Sequence, residues 1–351
     1  MSKRKGLLKQ GEQRITPVDG ARLYASLREE VTKAGILNRD YRYYAFLSLF
    51  IFGGYAFSLY NIFKADTPAL IIVWGLAFAF FSVQIAGLIH DAGHRSIFQS
   101  VRNNDLTGNM FSFFVGHGYS FWRGKHNKHH AHTNQEGEDP DVELPLLSFT
   151  TERVKRKKGL AKLLIRYQAY MYYPMGIFVV FSPRLGAIKY LIQHFKIKIL
   201  WEALLFIAGF AAYFILPFFL FDLSKALLLF AVVNFSAGAY LINVFAPNHK
   251  GMPQIDEGVK FSFLEQQIIT SRNIHGHWLT DFLYMGLNYQ IEHHLFPNTP
   301  RNKLKLITPF VKKVCRQLNF EYTQVSFVES NKIIVSELNT VGKTLAAARA
   351  S

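Results

Sequence analysis

The sequence predicts an all-α integral membrane fold, with four transmembrane helices in two hairpins and a cytoplasmic helical lobe. Two observations lead to this prediction. Half of the 351 residues are hydrophobic, and yet the formal net charge is +16. A soluble domain can have either property, but the combination is unusual. The apolar and basic residues are also segregated along the chain, which is typical of bilayer spans joined by polar segments.

Four stretches of the chain are apolar over about 20 residues, the length that crosses a bilayer. They lie at 43–63, 69–89, 199–221 and 226–246. Short links join the first two and the last two, so each pair is predicted to form a hairpin. A fifth apolar stretch, 167–181, contains Pro174 and several tyrosines. This stretch is predicted to lie in the membrane interface without spanning it.

The distribution of basic residues sets the predicted orientation. The N-terminal segment 1–42 carries ten of them, including Lys3, Arg4 and Lys5. The middle segment 90–198 carries a run of five between Arg153 and Lys158. The two hairpin links hold only Lys64 and Lys225. By the positive-inside rule, both termini and the middle segment are predicted to be cytoplasmic.

The basic excess also indicates the partners of the chain. Basic residues flank the apolar runs and do not form one stripe with stacking aromatic residues, so nucleic acid is not expected as a partner. Anionic headgroups of membrane lipids explain the charge with fewer assumptions. The single cysteine, Cys315, excludes an internal disulfide and a cysteine-ligated iron–sulfur cluster. No apolar h-region occurs in the first forty residues, so a cleavable signal peptide is not expected.

The predicted division of the chain follows from these patterns. Residues 1–42 form a cytoplasmic N-terminal segment, and residues 43–300 form the membrane domain with its polar lobe. Residues 301–351 are amphipathic and basic, and are predicted to lie against the cytoplasmic surface of the membrane.

Eight of the 13 histidines fall into spaced groups beside the predicted spans. The motif HDAGH follows the second span, HNKHH lies in the middle segment, one histidine follows the fourth span, and QIEHH lies beyond it. Positions i, i+3 and i+4 share one face of a helix, so each motif presents its imidazoles as one patch. The second and fourth spans run in the same direction, which brings their histidines to one membrane face. The eight residues are His90, His94, His126, His129, His130, His249, His293 and His294.

Eight imidazoles at one membrane face predict a metal site. A tetrahedral zinc site uses about four protein ligands, so two adjacent ions fit the count better than one. Imidazole suits iron, copper, zinc and nickel, and the spacing alone does not name the metal. A nitrogen-rich pair of sites beside the membrane, with no cysteine ligand in reach, favours iron. The remaining histidines are predicted to be structural or at the surface: His117, His132, His194, His275 and His277.

With these motifs in view, the chain resembles the membrane fatty-acid desaturase family over residues 69–300. HDAGH, HNKHH and QIEHH stand in the order of that family. The string GLNYQIEHHLFP, with Gln290 where many relatives have histidine, is similar to the branch of front-end and bacterial acyl-lipid or acyl-CoA desaturases. The resemblance implies that the eight histidines hold two iron ions, which activate dioxygen to place a double bond in a CoA-linked or lipid-linked fatty-acyl chain. It leaves Gln290 as a weak or water-mediated ligand.

The resemblance also bears on the electron supply and on the surroundings of the metal. Many front-end desaturases carry a fused cytochrome-type haem domain with a His-Pro-Gly-Gly motif, which this sequence lacks. A separate electron donor, such as a ferredoxin or a cytochrome with its reductase, is therefore expected. Four polar residues near the motifs are expected to orient or surround the ligand imidazoles, although the carboxylates of the DPD run equally suit a turn. They are Asp91, Asp139, Asp141 and Asn248.

Two other functions stay open from the sequence. A membrane di-iron hydroxylase of lipids or alkanes would use the same ligands, although GLNYQIEHHLFP argues against it. A metal-binding or transport membrane protein would place ionisable ligands within its spans. Glu202 is the only clear charge within the four predicted spans, and it lies near an end.

Overall fold

The computed structural model describes residues 7–142, 146–194, 196 and 199–350, with side chains as far as Thr344. Lys3, Arg4, Lys5 and Lys198, which enter the charge pattern, lie outside the described residues. Most of the described chain is helical. The α-helices are α1 Pro17–Lys33, α2 Tyr41–Lys64, α3 Pro68–Gly93, α4 Val101–Phe114, α5 Tyr119–Ala131, α6 Thr151–Arg156, α7 Gly159–Ile165, α8 Gln168–Gly176, α9 Phe181–His194, α10 Leu200–Phe210, α11 Pro217–Leu220, α12 Leu223–His249, α13 Phe263–Thr270, α14 Trp278–Leu283, α15 Gln290–Leu295, α16 Leu304–Gln317 and α17 Phe327–Ala350.

Strands are few in the part of the chain that the structure describes. Two pairs of parallel strands occur there, each strand two residues long. The first pair joins the beginning of the described chain to the segment after α12, and the second joins the segments after α13 and α16. The strands are β1 Leu7–Leu8, β2 Gln254–Ile255, β3 Asn273–Ile274 and β4 Gln324–Val325.

Among the described residues, three helices are long and apolar enough to cross a membrane: α2, α3 and α12. They correspond to the first, second and fourth predicted spans. The side chains of Asp40 and Thr67 accept hydrogen bonds from the first turns of α2 and α3, and Pro68 opens α3. Helix α3 continues past the predicted end of its span, through His90 to Gly93. The first four residues of the first histidine motif therefore belong to the apolar helix, and His94 is its C-cap.

The third predicted span is not one continuous helix. Residues 199–221 form α10, a π-helical segment Ala211–Ile215 and the short α11. Pro217 lacks an N–H and its ring crowds the preceding turn, which explains the break before α11. By contrast, the stretch predicted to be interfacial, 167–181, comprises α8 and the turn that leads to the first residue of α9. Helices α8 and α9 are bent by 69° at their break, and together they are apolar enough for a broken span or a re-entrant loop. The described chain thus has three candidate spans, or four with this bent pair.

The chain divides into two compact units. The first comprises Met1–Asn38, Lys125–Pro174 and Val244–Ser351, and the second comprises Arg39–Gly124 and Met175–Asn243.

In the second unit, the two predicted hairpin links lie beside each other. Lys225 Nζ donates a hydrogen bond of 2.7 Å to the carbonyl oxygen of Ala65. The ring centroids of Phe63 and Phe221 are 5.1 Å apart.

The charge near the start of the third predicted span also has partners, because the Glu202 carboxylate accepts hydrogen bonds from the backbone N–H and the hydroxyl of Ser120, at 2.7 and 2.5 Å.

In the first unit, helices α1, α13, α15 and α16 enclose a hydrophobic core. Leu264, Ile291, Ile307 and Val311 are fully buried in it. The prediction that the amphipathic segment from 301 lies against the membrane is wrong for α16, because the apolar face of that helix is buried in this core. A helix with one apolar and one basic face has the same sequence pattern whether its apolar face packs on a lipid surface or on a protein core. This core supports α15, which carries the third histidine motif.

Candidate metal centre

Six of the eight predicted histidines belong to the first unit, where three helices bring them together. Helix α5 supplies three, the last residue of α12 supplies one, and α15 supplies two. Five of the six side chains are buried and that of His126 is half-buried. The six are His126, His129, His130, His249, His293 and His294.

Three of these imidazoles, those of His129, His249 and His294, form a compact trio. One ring nitrogen from each lies within 4.8 Å of the corresponding atoms of the other two. Their ring centroids are 4.6 to 5.1 Å apart. Nitrogen ligands stand about 2 Å from a bound transition metal, so small side-chain movements would bring all three onto one ion.

Each ring of the trio is held at Nδ1 by an acceptor outside the trio. The Nδ1 of His129 lies 2.9 Å from a carboxylate oxygen of Asp139. The Nδ1 of His249 lies 3.2 Å from the carbonyl oxygen of Thr270. The Nδ1 of His294 lies 2.8 Å from the amide oxygen of Gln267.

These three contacts decide how the rings can act. A neutral imidazole that donates through Nδ1 carries its lone pair on Nε2. Metal-binding histidines are characteristically oriented in this way, by a carboxylate or carbonyl behind the ring. The donor set of the trio therefore fits a metal ion bound through three Nε2 atoms.

His126, His130 and His293 form a neighbouring group in the same unit. The Nε2 atoms of His126 and His130 are 3.2 Å apart. The ring of His130 lies 4.8 Å from that of His293 and stacks on that of His294 at 4.0 Å. Two facing ring nitrogens at this distance suit either a shared proton or a common cation.

Gln290 begins α15, is buried, and contacts the trio through His249. Its Nε2 lies 2.8 Å from His249 Nε2, and its Oε1 accepts a hydrogen bond of 3.0 Å from Asn248. Asn248 also donates to the carbonyl oxygen of Leu287, at 3.0 Å. Asn248 thus orients the amide of Gln290, and it does so from the position next to His249.

The first histidine motif belongs to the second unit. His90 lies in the last turn of α3 and His94 is its C-cap, with ring centroids 4.6 Å apart. The neighbouring carboxylate of Asp91 accepts a hydrogen bond of 2.8 Å from the hydroxyl of Tyr44. Its other oxygen lies 3.5 Å from His90 Nδ1. The ring of Trp122 lies 5.7 Å from that of His90.

The acidic residues after the second motif set the electrostatics around His129. Asp139 is fully buried, and Asp141 lies 3.8 Å from the same Nδ1 and pairs with Lys125 at 2.7 Å. Burial alone would lower the pKa of His129, but the two carboxylates outweigh burial and raise that pKa above its usual value. The same negative charge makes the Nε2 of His129 a stronger donor to a cation.

Several residues around the trio carry no recognisable motif. Gln267 and Thr270 lie in α13, whose sequence FLEQQIIT contains no motif, and both side chains are buried. Thr133 donates from its hydroxyl to the Gln267 oxygen that faces His294. The surface assignments for His275 and His277 agree with their exposure in the first unit.

Comparison with known proteins places this centre in a family. A family model described as "Fatty acid desaturase" matches residues 66–326, a range that includes all eight histidines. The chain belongs to the fatty acid desaturase family. This membership confirms the resemblance of the motifs.

Several individual desaturases are similar to this chain over long stretches. The chain is 32% identical over 260 residues to an acyl-lipid 8-desaturase of Rebecca salina, with 69% of this chain and 57% of that protein covered. It is 28% identical over 320 residues to a Delta(8)-fatty-acid desaturase of Euglena gracilis, covering 85% and 74%. It is 28% identical over 289 residues to a Delta 8-(E)-sphingolipid desaturase of Candida albicans, covering 73% and 47%. The matched part of the chain thus spans 47% to 74% of the length of these relatives.

Proposed function

We propose that this desaturase introduces a double bond into a fatty-acyl chain linked to a lipid or to CoA, using dioxygen and two histidine-bound iron ions. The observation that carries the proposal is the trio of His129, His249 and His294, buried and each held at Nδ1. Burial of three converging imidazoles costs free energy and does not stabilise a hydrophobic core, whereas coordination of a metal ion would offset that cost. Relatives named as acyl-lipid, fatty-acid and sphingolipid desaturases support the substrate class.

The proposed ligands are the eight histidines of the motifs. The trio would hold one ion through Nε2. The proposed ligands of the second ion are His126, His130 and His293, because these three side chains lie close together in the first unit. His90 and His94 are included on the sequence pattern and the family alone. Gln290 is proposed as a weak or water-mediated ligand.

Bound iron would supply the activation of dioxygen that an unactivated methylene requires, because no side chain performs that chemistry. The residues of the chain orient the ligands and exclude water. Asp139, Thr270 and Gln267 fix the three rings, and burial of the cluster keeps bulk water from it. The substrate loses two hydrogens from adjacent carbons. These hydrogens, two further protons and two supplied electrons convert one dioxygen to two waters.

A separate ferredoxin, or a cytochrome with its reductase, is proposed as the electron donor, because the reaction needs two electrons that the proposed ligand residues do not supply. The Lys and Arg asymmetry supports a cytoplasmic position for the metal centre and both termini. The two links that are poor in Lys and Arg support the predicted pairing of spans into two hairpins, with residues 199–221 as an interrupted third span. The adjacent hairpin links in the second unit, joined by Lys225, agree with that arrangement.

The test is expression of the chain in a host whose lipids are profiled for new double bonds. The wild-type chain is expected to give a new unsaturated acyl species and to bind iron. His249→Ala is expected to abolish both, whereas the matched control His277→Ala, at an exposed histidine of the same unit, should preserve both. Hydroxylated lipids without new double bonds would favour the hydroxylase. Failure of the wild-type protein to bind iron after removal of other metals and anaerobic reloading with Fe²⁺ would refute the proposed centre.

A further inference from the structure

The short segment Thr270–Asn273 contacts both of the elements that carry His249 and the pair His293 and His294. It leads from the end of α13 into β3 and is buried throughout. We propose that Arg272 and Asn273 are positioning residues, which hold the end of α12 and the start of α15 at the spacing that the metal centre needs. This inference rests on the proposed metal centre.

Arg272 binds the end of α12. Its side chain is fully buried, and it donates from Nε to the carbonyl oxygen of Pro247 at 2.6 Å and from a terminal nitrogen to that of Lys250 at 2.7 Å. Its backbone N–H donates to the carbonyl oxygen of Asn248 at 2.9 Å. The last carbonyls of a helix have no partner within the helix, and a cation stabilises that end. Arg272 therefore fixes the backbone on both sides of His249.

The same segment also fixes the ring of His249. The carbonyl oxygen of Thr270, two residues before Arg272, accepts the hydrogen bond from His249 Nδ1. Backbone and imidazole of this histidine are thus both held by one stretch of four residues.

Asn273 binds the beginning of α15. Its side-chain oxygen accepts a hydrogen bond of 2.9 Å from the backbone N–H of Ile291. Its Nδ2 donates to Glu292 Oε2 at 2.7 Å and to the hydroxyl of Tyr322 at 2.6 Å. That hydroxyl donates in turn to Glu292 Oε1 at 2.7 Å. Glu292 is fully buried and immediately precedes His293, so its anchoring sets the rotation of α15 about its axis.

The link between the two anchors is short and stiff. Arg272 and Asn273 are joined by one planar peptide, whose consecutive Cα atoms are about 3.8 Å apart. Helix α15 has six residues, and a helix of that length is not stable by itself. Its position must therefore come from external contacts such as those of Asn273. Metal ligands have to be placed to within about 0.5 Å, so a shift of either anchor should alter the coordination.

Cobalt binding to the purified full-length protein tests this inference without turnover. Co²⁺ replaces iron as the probe because its visible absorption depends on coordination geometry. Asn273→Ala is expected to lower Co²⁺ affinity by about 10- to 100-fold, the usual effect of losing a residue behind a metal ligand, and to change the spectrum. Arg272→Lys keeps the charge but loses the fork of donors, so a smaller loss in the same direction is expected.

Gln168→Ala is the matched control. Gln168 is buried in the same unit and exchanges three hydrogen bonds with the backbone of Ser148 and Leu338, neither of which lies in a histidine-bearing helix. This variant should lose thermal stability and keep the wild-type affinity and spectrum. If Asn273→Ala does not fold, Tyr322→Phe removes one hydroxyl from the same network and makes the same comparison.

Two outcomes separate the inference from the proposed function. Wild-type affinity and spectrum in folded variants of Asn273, Arg272 or Tyr322 that only melt earlier would show a purely structural role and overturn the inference. Failure of the wild-type protein to bind Co²⁺ or Fe²⁺ would overturn the proposed metal centre itself.

Discussion

The side-chain nitrogen of Gln290 lies 2.8 Å from the Nε2 of His249. Because His249 Nδ1 faces the carbonyl oxygen of Thr270, this Nε2 is the atom that would bind a metal ion. Gln290 therefore stands at the metal-facing side of a proposed ligand. A half-turn of its amide would present Oε1, which can bind a metal weakly or accept a hydrogen bond from metal-bound water.

For Gln290→Ala we expect lower turnover with most of the iron retained, because an amide is a weaker donor than imidazole. His294→Ala should lose both iron and turnover. Gln290→His should tighten iron binding without a matching gain in rate, since an added imidazole changes the geometry of the centre. Iron stoichiometry and double-bond formation are the measurements. Complete loss of iron in Gln290→Ala would identify Gln290 as a full ligand.

Asp139→Asn tests the carboxylate behind His129. The substitution keeps the size of the side chain and removes the charge that orients the ring and strengthens Nε2 as a donor. We expect metal affinity to fall by about 10- to 100-fold, measured by competition with a chelator. The control is Glu138→Gln, which removes only the exposed pairing with Lys128. Equal affinities in the two variants would contradict a role for Asp139 at the metal.

The facing pair on α5 provides a separate test of the second group of histidines. The double variant His126→Ala, His130→Ala is expected to lose iron, because their Nε2 atoms are 3.2 Å apart and would bind a common ion. His275→Ala, at an exposed position in the same unit, should keep the full iron content. Normal iron in the double variant would remove both residues from the set of proposed ligands.

Cys315 allows the predicted orientation to be tested with little background. It is buried, and burial raises the pKa of its thiol to about 12, so the reactive thiolate is scarce at neutral pH. The native protein should resist thiol reagents until it unfolds. Lys158→Cys places a thiol at an exposed position. It should be labelled from the cytoplasmic side only, and labelling solely from the outer side would refute the orientation.

Metal exchange should decide the activity of overproduced protein. Nitrogen-rich sites bind Zn²⁺ more tightly than Fe²⁺, so protein made in excess should carry zinc and be inactive. Removal of zinc by a chelator and anaerobic reloading with Fe²⁺ should restore turnover, provided that an electron donor is present. Activity of the zinc-loaded protein equal to that of the iron-loaded protein would argue against redox chemistry at this centre.

Much of the candidate centre is local in origin, and that part is visible in the sequence. The spacing within HNKHH places three histidines along α5, and hydropathy marks α2, α3 and α12, because helical period and span length depend on neighbouring residues alone. The break of the third predicted span at Pro217 also has a local cause, although length and hydropathy conceal it.

Which histidines meet, and what stands behind each ring, depended on the tertiary structure. His129 belongs to the trio with His249 and His294, while His126 of the same motif faces His130. Gln267, Arg272 and Asn273 acquire their contacts only when α13 and the strand after it pack between the ends of α12 and α15. Periodicity indicates which residues share a face of one helix, but the partner of that face is set by packing between segments far apart in the chain. For the same reason, the amphipathic pattern predicted α16 as a helix, but only the tertiary structure showed that its apolar face is buried in the core of the first unit.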